Sequence, residues 1–499
     1  MAFPAISSHP IDLSPLSISP PKAFQPNFTS EAIQELHSRI ASARLPEQDF
    51  FWKDEDRRSW RLRPSLERVK EILKGWNEFD VKQLESEINN WRLRPSLERV
   101  KEILKGWKEF DVKQLESEIN KYPHFTTSIG WCEQLHFIHV RSERNDAIPL
   151  MLIHGWPGSF LEFIHLIPSL TSPSSSTDPA FHLIIPSLPG FAYSSAPPSS
   201  MSGTGDYLGY SRLLDSLMRG LGYDRYAAQG GDWGSAHVRA LGSRFHKQDG
   251  TGCRAVHFNF MPVSPSPGIN LAQQLPDWIL TRVVPWLYDQ EHCRMIAKAN
   301  FFEANLVYYK VQCERFAQLS YGLLDSPSGL ASWIGAFFGI SLLETYPFLS
   351  KLCPPIHPES VESAPSGGKT DDALLKTLCL YWFTKTSGTA MIPYAANPYL
   401  PDIHRDSKNY LEAPTGYSDY PWEIVNTPFV WAKKNANIIW HARALRGGHF
   451  AAIEEPGIFV QHLKRAFAPG GGGKELPEDT IVKGLWDDER KKGWPAAQE

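Results

Sequence analysis

The sequence predicts an α/β protein in which a mostly parallel sheet forms the core, a helical cap is inserted into that core, and a helical meander precedes it. From about residue 135 onward, short apolar segments alternate with helical segments, which is typical of a parallel sheet. Between about residues 262 and 400 this alternation gives way to a helix-rich stretch with many aromatic residues. Upstream of residue 121, apolar residues recur at helical spacing.

The composition is that of a globular protein with nearly balanced charge. Of the 499 residues, 42% are hydrophobic and 17 are Trp, which is enough for a substantial core. Lys and Arg total 51 against 55 Asp and Glu, so no basic field attracts nucleic acid or an anionic membrane surface. The cysteines are scattered without a CxxC pair, which argues against a zinc site or a disulfide framework and favours a reducing compartment. They are Cys132, Cys253, Cys293, Cys313, Cys353 and Cys379.

The sequence contains no recognisable targeting or membrane-spanning segment. The first thirty residues are rich in Pro and Ser and lack the basic start and apolar stretch of a signal peptide. The longest apolar run, 330–343, is shorter than the roughly 20 residues that cross a bilayer, so a buried helix is predicted there. We expect a soluble, cytoplasmic protein, with peripheral membrane association left open.

A near-perfect internal repeat occupies residues 60–90 (the first copy) and 91–121 (the second copy). Residues 60–89 match residues 91–120 except where Asn77 becomes Lys108. Two almost identical units do not make a solenoid, which needs three or more diverged repeats, so a recent tandem duplication is favoured. Each copy predicts two helices: in the first copy, Leu66, Val69, Leu73 and Trp76 share one face, and the break falls at 79–80. Only the second copy continues directly into 121–127, so we interpret the first copy as the added segment, looped out of the core.

The order of elements predicts the domain boundaries. We assign 1–125 to the N-terminal segment, 126–262 and 401–468 to the two parts of the core, 263–400 to the cap, and 469–499 to a loosely ordered tail after a glycine run. Candidate core strands are 135–140, 148–153, 181–186, 225–229, 254–260 and 437–442.

The motif GGDWG (230–234) places an aspartate where a strand is predicted to turn into a helix. Glycines permit a tight turn at such an elbow, and the central side chain then projects above the carboxyl end of the sheet. Asp232 is therefore the predicted nucleophile, at a position where a serine would indicate ester hydrolysis. A carboxylate favours alkyl transfer instead, although the motif alone is also compatible with a surface turn.

A second motif, HGWPG (154–158), directly follows a predicted strand. A turn there could direct the Trp156 backbone N–H to the same point as the N–H of Trp233, and two such donors form an oxyanion hole. A purely structural turn is the alternative. We expect His154 to stabilise the turn and not to act as a base.

The predicted base and its acid lie near the end of the core. His449 is in the glycine-rich segment RGGHFAA (446–452) after the last strand, where an imidazole can reach the elbow. In α/β hydrolases the acid that orients the histidine lies between the nucleophile and the histidine in the chain. Glu423 is the best candidate, and Asp419 is its local competitor.

Taken together, these motifs resemble the epoxide hydrolases of the microsomal type, including their soluble fungal members, from about residue 24 to 467. The resemblance rests on HGWP, GGDWGS, RGGHFAA, SLPGFAYSS (187–195), LDSP (324–327) and the segment 107–127. It implies an α/β-hydrolase core. It also implies that two cap tyrosines, Tyr308 and Tyr394, bind the epoxide oxygen, with Tyr309 beside the first.

The resemblance implies a mechanism that needs neither a metal nor an organic cofactor. Asp232 would open the epoxide while the tyrosines protonate its oxygen, and water activated by His449 would hydrolyse the ester to a vicinal diol. The expected partners are a small epoxide and water, with a homodimer as one assembly to consider. The alternatives are a haloalkane dehalogenase, which shares the Asp-Trp pair, and an inactive or misfolded duplication product. Whether the role is detoxification or biosynthesis is not determined by the sequence.

Overall fold

The computed structural model describes residues 13–45, 97–198, 205–263, 307–338, 367–397 and 400–468. The first copy of the repeat, parts of the predicted cap, Cys293, Cys353 and the predicted tail lie outside these residues. The predicted helix face of the first copy and the position of Asn77 also lie outside the described residues. That face consists of Leu66, Val69, Leu73 and Trp76.

A nine-stranded sheet forms the core, in the order β1-β2-β3-β5-β4-β6-β7-β8-β9. The pairings from β5 through β4 to β9 are parallel, whereas β1, β2 and β3 add an antiparallel edge. The predicted mostly parallel sheet is therefore confirmed. The strands are β1 (Lys22–Phe24), β2 (His124–Ile129), β3 (Cys132–Val140), β4 (Ile148–Ile153), β5 (Phe181–Pro186), β6 (Arg225–Gly230), β7 (Gly252–Phe258), β8 (Leu411–Asp419) and β9 (Ala436–Arg443).

The six predicted strands correspond to β3, β4, β5, β6, β7 and β9, and three further strands were missed. Strand β8 lacks an apolar run and contains Pro414 and Gly416, residues that normally weaken a strand. The register of β8 against β9 shifts around Thr415, so the irregular segment is accommodated by a bulge. Strands β1 and β2 are short or rich in Thr and Ser and lie at the edge of the sheet.

Helices cover the sheet, since every residue of β4 and of β5 is buried. Within the described residues, the α-helices are α1 (Ser30–Ala41), α2 (Leu97–Glu109), α3 (Val112–Ile119), α4 (Ile167–Thr171), α5 (Tyr207–Gly220), α6 (Asp232–Arg244), α7 (Val307–Asp325), α8 (Pro327–Gly335), α9 (Gly367–Thr384), α10 (Ile392–Ala396), α11 (Leu400–Arg405), α12 (Phe429–Asn435), α13 (Ala451–Glu454) and α14 (Pro456–Phe467). Helix α7 has non-helical backbone angles at Arg315. No helix in these parts of the chain is both long and apolar enough to cross a bilayer.

The second copy of the repeat packs against the cap helix α9. Its helix α2 buries Val100, Leu104 and Trp107, which correspond in sequence to three residues of the apolar face predicted for the first copy. The Trp107 indole N–H donates to Cys379 Sγ at 3.2 Å, and its ring meets Trp382 edge-on at 6.0 Å. The N-terminal segment and the cap are thus joined by a buried aromatic contact.

A side chain marks the break between the two helices of the second copy. Asp111 caps α3, because its carboxylate accepts a hydrogen bond from the Gln114 N–H at 2.9 Å. This position corresponds to residue 80 of the first copy, where the helical spacing is interrupted.

The structure describes the first part of the buried helix expected over 330–343, up to residue 338, and the helix ends within that part; 339–343 lie outside the described residues. Helix α8 ends at Gly335, and the next residues turn toward the core. Phe337 packs edge-on against Trp156 at 5.0 Å, and Phe338 stacks on Phe450 at 4.6 Å. These ring contacts explain why the apolar run leaves the helix.

Acid should destabilise the fold through two buried histidines that share one hydroxyl. Ser418 Oγ lies 2.9 Å from both His257 Nε2 and His462 Nδ1. Burial lowers the pKa of His257 to about 3 and that of His462 to about 4. Both groups therefore stabilise the fold above their unfolded pKa near 6.5, and this stabilisation is lost as the pH falls toward 4.

We expect the His462→Gln variant to lose less stability than the wild type between about pH 6.5 and pH 4, by about 1–3 kcal/mol. Urea unfolding at a series of pH values measures this difference. His37→Gln, in α1, is the matched control. Parallel pH profiles for His462→Gln and the wild type would contradict the prediction.

Candidate active site

Asp232 lies at a constrained turn between β6 and α6. Its φ of +47° is in the left-handed region that residues other than glycine rarely adopt. A Cβ added at Gly230 would lie 2.7 Å from the Gly234 carbonyl oxygen, and one added at Gly234 would overlap the Ile153 carbonyl oxygen. The glycines of GGDWG are therefore required by the close approach of neighbouring backbone, and the turn presents the Asp232 side chain above the sheet.

The HGWPG loop lies beside this turn because β4 and β6 are parallel neighbours. Ile153 at the end of β4 pairs with Gly230 at the end of β6. The Trp156 N–H donates to Asp232 Oδ1 at 2.8 Å, so one of the two predicted oxyanion donors contacts the carboxylate. The other, the N–H of Trp233, belongs to the first turn of α6, where backbone N–H groups have no acceptor within the helix.

His154 has the structural contacts expected of a residue that stabilises the turn. Its Nε2 accepts the Leu188 N–H at 3.1 Å, which fixes the tautomer that donates from Nδ1 to the Gly155 carbonyl at 3.0 Å. Burial lowers its pKa to about 4. Both ring nitrogens are thus occupied by the backbone.

His449 lies between two carboxylates. Its Nδ1 is 2.6 Å from Glu423 Oε1, and its Nε2 is 3.3 Å from Asp232 Oδ2. Burial acts to lower the pKa of His449, but the charge of Glu423, together with the hydrogen bond and charge of Asp232, holds it well above its ordinary value. Asp232, Glu423 and His449 follow β6, β8 and β9, so the ends of three parallel strands at one side of the sheet supply the arrangement.

The structure distinguishes the two carboxylates considered as the acid. Glu423 contacts the imidazole, whereas Asp419 Oδ1 accepts from Asn426 Nδ2 at 2.6 Å and its Oδ2 lies 3.4 Å from Arg443 Nε. Asp419 is therefore engaged within the sheet edge. The backbone supports the contact of Glu423, because the Trp422 N–H donates to the Gly447 carbonyl at 3.0 Å and so joins the two loops.

Two of the cap tyrosines meet the tryptophans of the two motifs. Tyr308 stacks on Trp156 with ring centroids 6.1 Å apart, and Tyr394 meets Trp156 edge-on at 5.7 Å and Trp233 at 5.1 Å. The Tyr308 and Tyr394 rings are 6.4 Å apart. The predicted pair is thus brought over the elbow, and Tyr309 also joins the cluster, 4.9 Å from Tyr394.

Tyr394 stays protonated in this setting. Burial raises its pKa well above the ordinary value, and the charge of Asp232 and the neighbouring Tyr308 raise it further. The Trp233 indole donates a hydrogen bond to it, and an indole N–H can act only as a donor. The Tyr394 hydroxyl hydrogen is therefore available to an oxygen of a bound molecule.

The sequence did not identify three polar residues that surround the elbow: Glu162, Asn259 and Tyr381. Glu162 lies in the apolar segment 159–164, and its isolated carboxylate is the one feature of the sequence that could have indicated a functional role. Asn259 directly follows β7, beside Gly231. Tyr381 in α9 donates to the Gly158 carbonyl at 3.1 Å, which ties the cap to the HGWPG loop.

In the described parts of the chain, no group of three or more His, Cys, Asp or Glu residues is arranged to hold a metal ion.

Two family models match the chain. Residues 90–163 match the model described as epoxide hydrolase N terminus, and residues 148–278 match the model described as alpha/beta hydrolase fold. The first match includes the second copy of the repeat, at 91–121, and leaves out nearly all of the first.

Known proteins resemble the chain over most of its length. A putative epoxide hydrolase from Stigmatella aurantiaca is 29% identical over 443 residues, which cover 87% of this chain and 82% of that protein. Epoxide hydrolase 1 from Sus scrofa is 30% identical over 362 residues, which cover 69% of this chain and 74% of that protein. The crystal structure of juvenile hormone epoxide hydrolase from the silkworm Bombyx mori matches with a TM-score of 0.65 and 25% identity, covering 91% of this chain and 97% of that chain.

The sheet order and the contacts among Asp232, His449 and Glu423 define an α/β hydrolase whose elbow carries an aspartate. The similarity to the Sus scrofa protein then gives the family. The chain belongs to the epoxide hydrolases. The sequence-based assignments of the fold and of the family are confirmed.

The close approach at the elbow predicts that Gly234→Ala is strongly destabilising. The new methyl group would overlap the Ile153 carbonyl, so β4 and α6 must separate. We expect a loss of about 2–4 kcal/mol in the free energy of unfolding, or insoluble protein. Gly457→Ala is the matched control, since a Cβ there meets no atom within 4 Å. Chemical denaturation of both variants measures the difference, and equal stabilities would contradict the interpretation.

Proposed function

We propose that the protein hydrolyses epoxides to vicinal diols through a covalent ester on Asp232. The observation that carries this proposal is the position of Asp232, which contacts a base that is held by an acid and lies beside the two tryptophans that the cap tyrosines contact. The carboxylate has Trp156 N–H on Oδ1 and His449 on Oδ2, while Tyr308 and Tyr394 pack over the same motif tryptophans. The names of the relatives support the same substrate class.

In the first step, a carboxylate oxygen of Asp232 attacks one epoxide carbon, and the bond from that carbon to the ring oxygen breaks. Ring strain assists the opening, and the oxygen that leaves must gain a proton as its charge develops. Tyr394 and Tyr308 are suited to supply it, because the pKa of Tyr394 keeps its hydroxyl protonated. The product is a hydroxyalkyl ester of Asp232 and a tyrosinate that regains its proton later in the cycle.

In the second step, water attacks the carbonyl carbon of the ester. His449 takes a proton from the water, the Trp156 and Trp233 N–H groups stabilise the oxyanion, and Glu423 stabilises the imidazolium. Collapse of the tetrahedral intermediate breaks the ester bond to the carbonyl carbon. The diol then leaves with a proton, and the Asp232 carboxylate is restored, so that one water is added to one epoxide.

The charge of Asp232 couples the two steps. In the free enzyme this charge and the Asp232 hydrogen bond help raise the pKa of His449. Formation of the ester removes the charge, so the pKa of His449 falls and the imidazole becomes available as a base at that point. The base is therefore activated by the chemistry of the first step.

Epoxide opening is favoured over carbon-halogen cleavage by the contacts of Trp233. In a dehalogenase the indole that follows the nucleophile would be needed for the halide. Here the Trp233 indole N–H donates to Tyr394. The Tyr394 hydroxyl is itself a donor, and it is suited to the oxygen of an epoxide. Formation of diol from epoxides, without halide release from haloalkanes, would test this distinction.

His449→Gln should trap the ester. The variant can still form the ester with Asp232 but cannot deprotonate the water, so we expect a mass increase equal to one substrate and diol turnover reduced by about 100- to 10,000-fold. Intact-protein mass spectrometry after mixing with a styrene-type epoxide measures the adduct. His37→Gln is the matched control, and Asp232→Asn should give no adduct. Normal turnover by His449→Gln would place the base elsewhere.

Removal of either proposed oxygen-binding hydroxyl should slow ester formation. Tyr308→Phe and Tyr394→Phe each leave one partner, so we expect a reduction of about 10- to 100-fold in the rate of the first step. The double variant should lose considerably more. Stopped-flow tryptophan fluorescence can follow the step, because Trp156 and Trp233 adjoin Asp232.

Tyr309→Phe is the matched control that tests which of the two neighbouring tyrosines binds the oxygen. We expect it to reduce the rate of ester formation less than Tyr308→Phe does. The reverse order would assign the oxygen-binding role to Tyr309.

Cytoplasmic localisation and a homodimer stay predictions from the sequence. A panel of aryl, terminal and trans-disubstituted epoxides is the direct way to define the preferred substrate class.

A further inference from the structure

A small cavity adjoins Asp232 on the side of the HGWPG loop. Its volume of about 10 Å³ is close to the least that one water molecule needs. Gly155, Glu162, Asp232, Asn259, His449 and Phe459 are among the residues that line it. The cavity thus touches both the ester-forming carboxylate and the base, and it is too small for an organic substrate.

Glu162 contributes a carboxyl group to this cavity. The group is held against Gly158, where a Cβ would overlap Glu162 Oε1, and a backbone hydrogen bond from Ser159 also fixes it. Burial raises its pKa to about 8; the charge of Asp232 acts in the same direction, and His449 opposes it. At neutral pH the group is mostly an uncharged acid whose carbonyl oxygen can accept a hydrogen bond.

Asn259 contributes a donor from the opposite loop. Its Oδ1 accepts from Gln229 Nε2 at 2.7 Å, which orients the amide, and its side chain lies against Gly231. Within the described residues Asn259 Nδ2 has no hydrogen-bond acceptor, although the residue is 7% exposed. A water molecule in the adjoining cavity, which Asn259 lines, would give this donor an acceptor.

We propose that this cavity holds the water that hydrolyses the Asp232 ester, with Glu162 and Asn259 as its positioning residues. The inference rests on the proposed function. The water gives one hydrogen to His449 Nε2 and donates its other hydrogen to Glu162, while its oxygen accepts from Asn259 Nδ2. Its oxygen forms the new bond to the carbonyl carbon of Asp232, His449 holds the proton, and the bond to the diol oxygen breaks.

The inference predicts a selective effect on the second step. Glu162→Leu removes the acceptor at nearly unchanged volume, and we expect ester hydrolysis to slow by about 10- to 100-fold. The rate of ester formation should change by less than about threefold, because the attack on the epoxide does not use this water. Glu162→Gln retains a carbonyl acceptor and should restore most of the hydrolysis rate. A residue that only supported the fold would affect both steps together.

Single-turnover stopped-flow fluorescence resolves the two rates, and quenched-flow mass spectrometry identifies the ester. Glu133→Gln, an exposed carboxylate on β3, is the matched control. If Glu162→Leu does not fold, Asn259→Leu provides the same test, with hydrolysis slowed and ester formation retained.

Two results would overturn the inference, and they are distinguishable. Hydrolysis at the wild-type rate in a folded Glu162→Leu or Asn259→Leu protein, with the ester detected, refutes the water site alone. The absence of an ester in both the wild type and His449→Gln refutes the proposed function and, with it, the water site.

Discussion

The active-site geometry depends on how closely α6 approaches the end of β4. Gly234 has no room for a side chain against the Ile153 carbonyl, and this contact brings the strand-to-helix turn against the HGWPG loop. The left-handed backbone of Asp232 and its hydrogen bond from Trp156 follow from that approach. The packing of the main chain therefore positions the nucleophile before the substrate binds. Little reorganisation of the site is then needed during the reaction.

The buried carboxyl groups around the elbow are in two kinds of environment. Glu423, His449 and Asp232 form one sequence of contacts, and Glu162 and Glu454 are further buried carboxyls nearby, with burial raising their pKa values to about 8 and about 7. Glu454 also accepts the Phe450 N–H at 2.9 Å, next to the base. Glu162, which is mostly uncharged at neutral pH, avoids adding a full negative charge beside Asp232, whereas Glu423, in contact with the imidazole, is placed to balance its positive charge.

The sequence was most informative where one short motif determines both backbone and chemistry. GGDWG and RGGHFAA pointed to Asp232 and His449 because a tight turn directly after a strand requires glycines, which makes such a turn recognisable in the sequence. Chain order was compatible with both Glu423 and Asp419 as the acid, and tertiary contacts distinguish the two residues. Glu162 and Asn259 were not found because their proximity depends on the sheet order and the register of β4, β6 and β7, which no local pattern encodes. Strand β8 was missed for a related reason, since its bulge is stabilised by its neighbours.

The contact of Trp107 with Cys379 and Trp382 has a consequence for how molecules enter the enzyme. Swinging α9 away from the core as a rigid lid would expose the indole that the N-terminal segment buries, at roughly 5 kcal/mol for a side chain of that size. The Tyr381 hydroxyl adds a second attachment at Gly158. Such a fastened helix favours entry by local rearrangement of neighbouring segments. The size of these local rearrangements, rather than the speed of a closing lid, would then limit the bulk of the epoxides that enter.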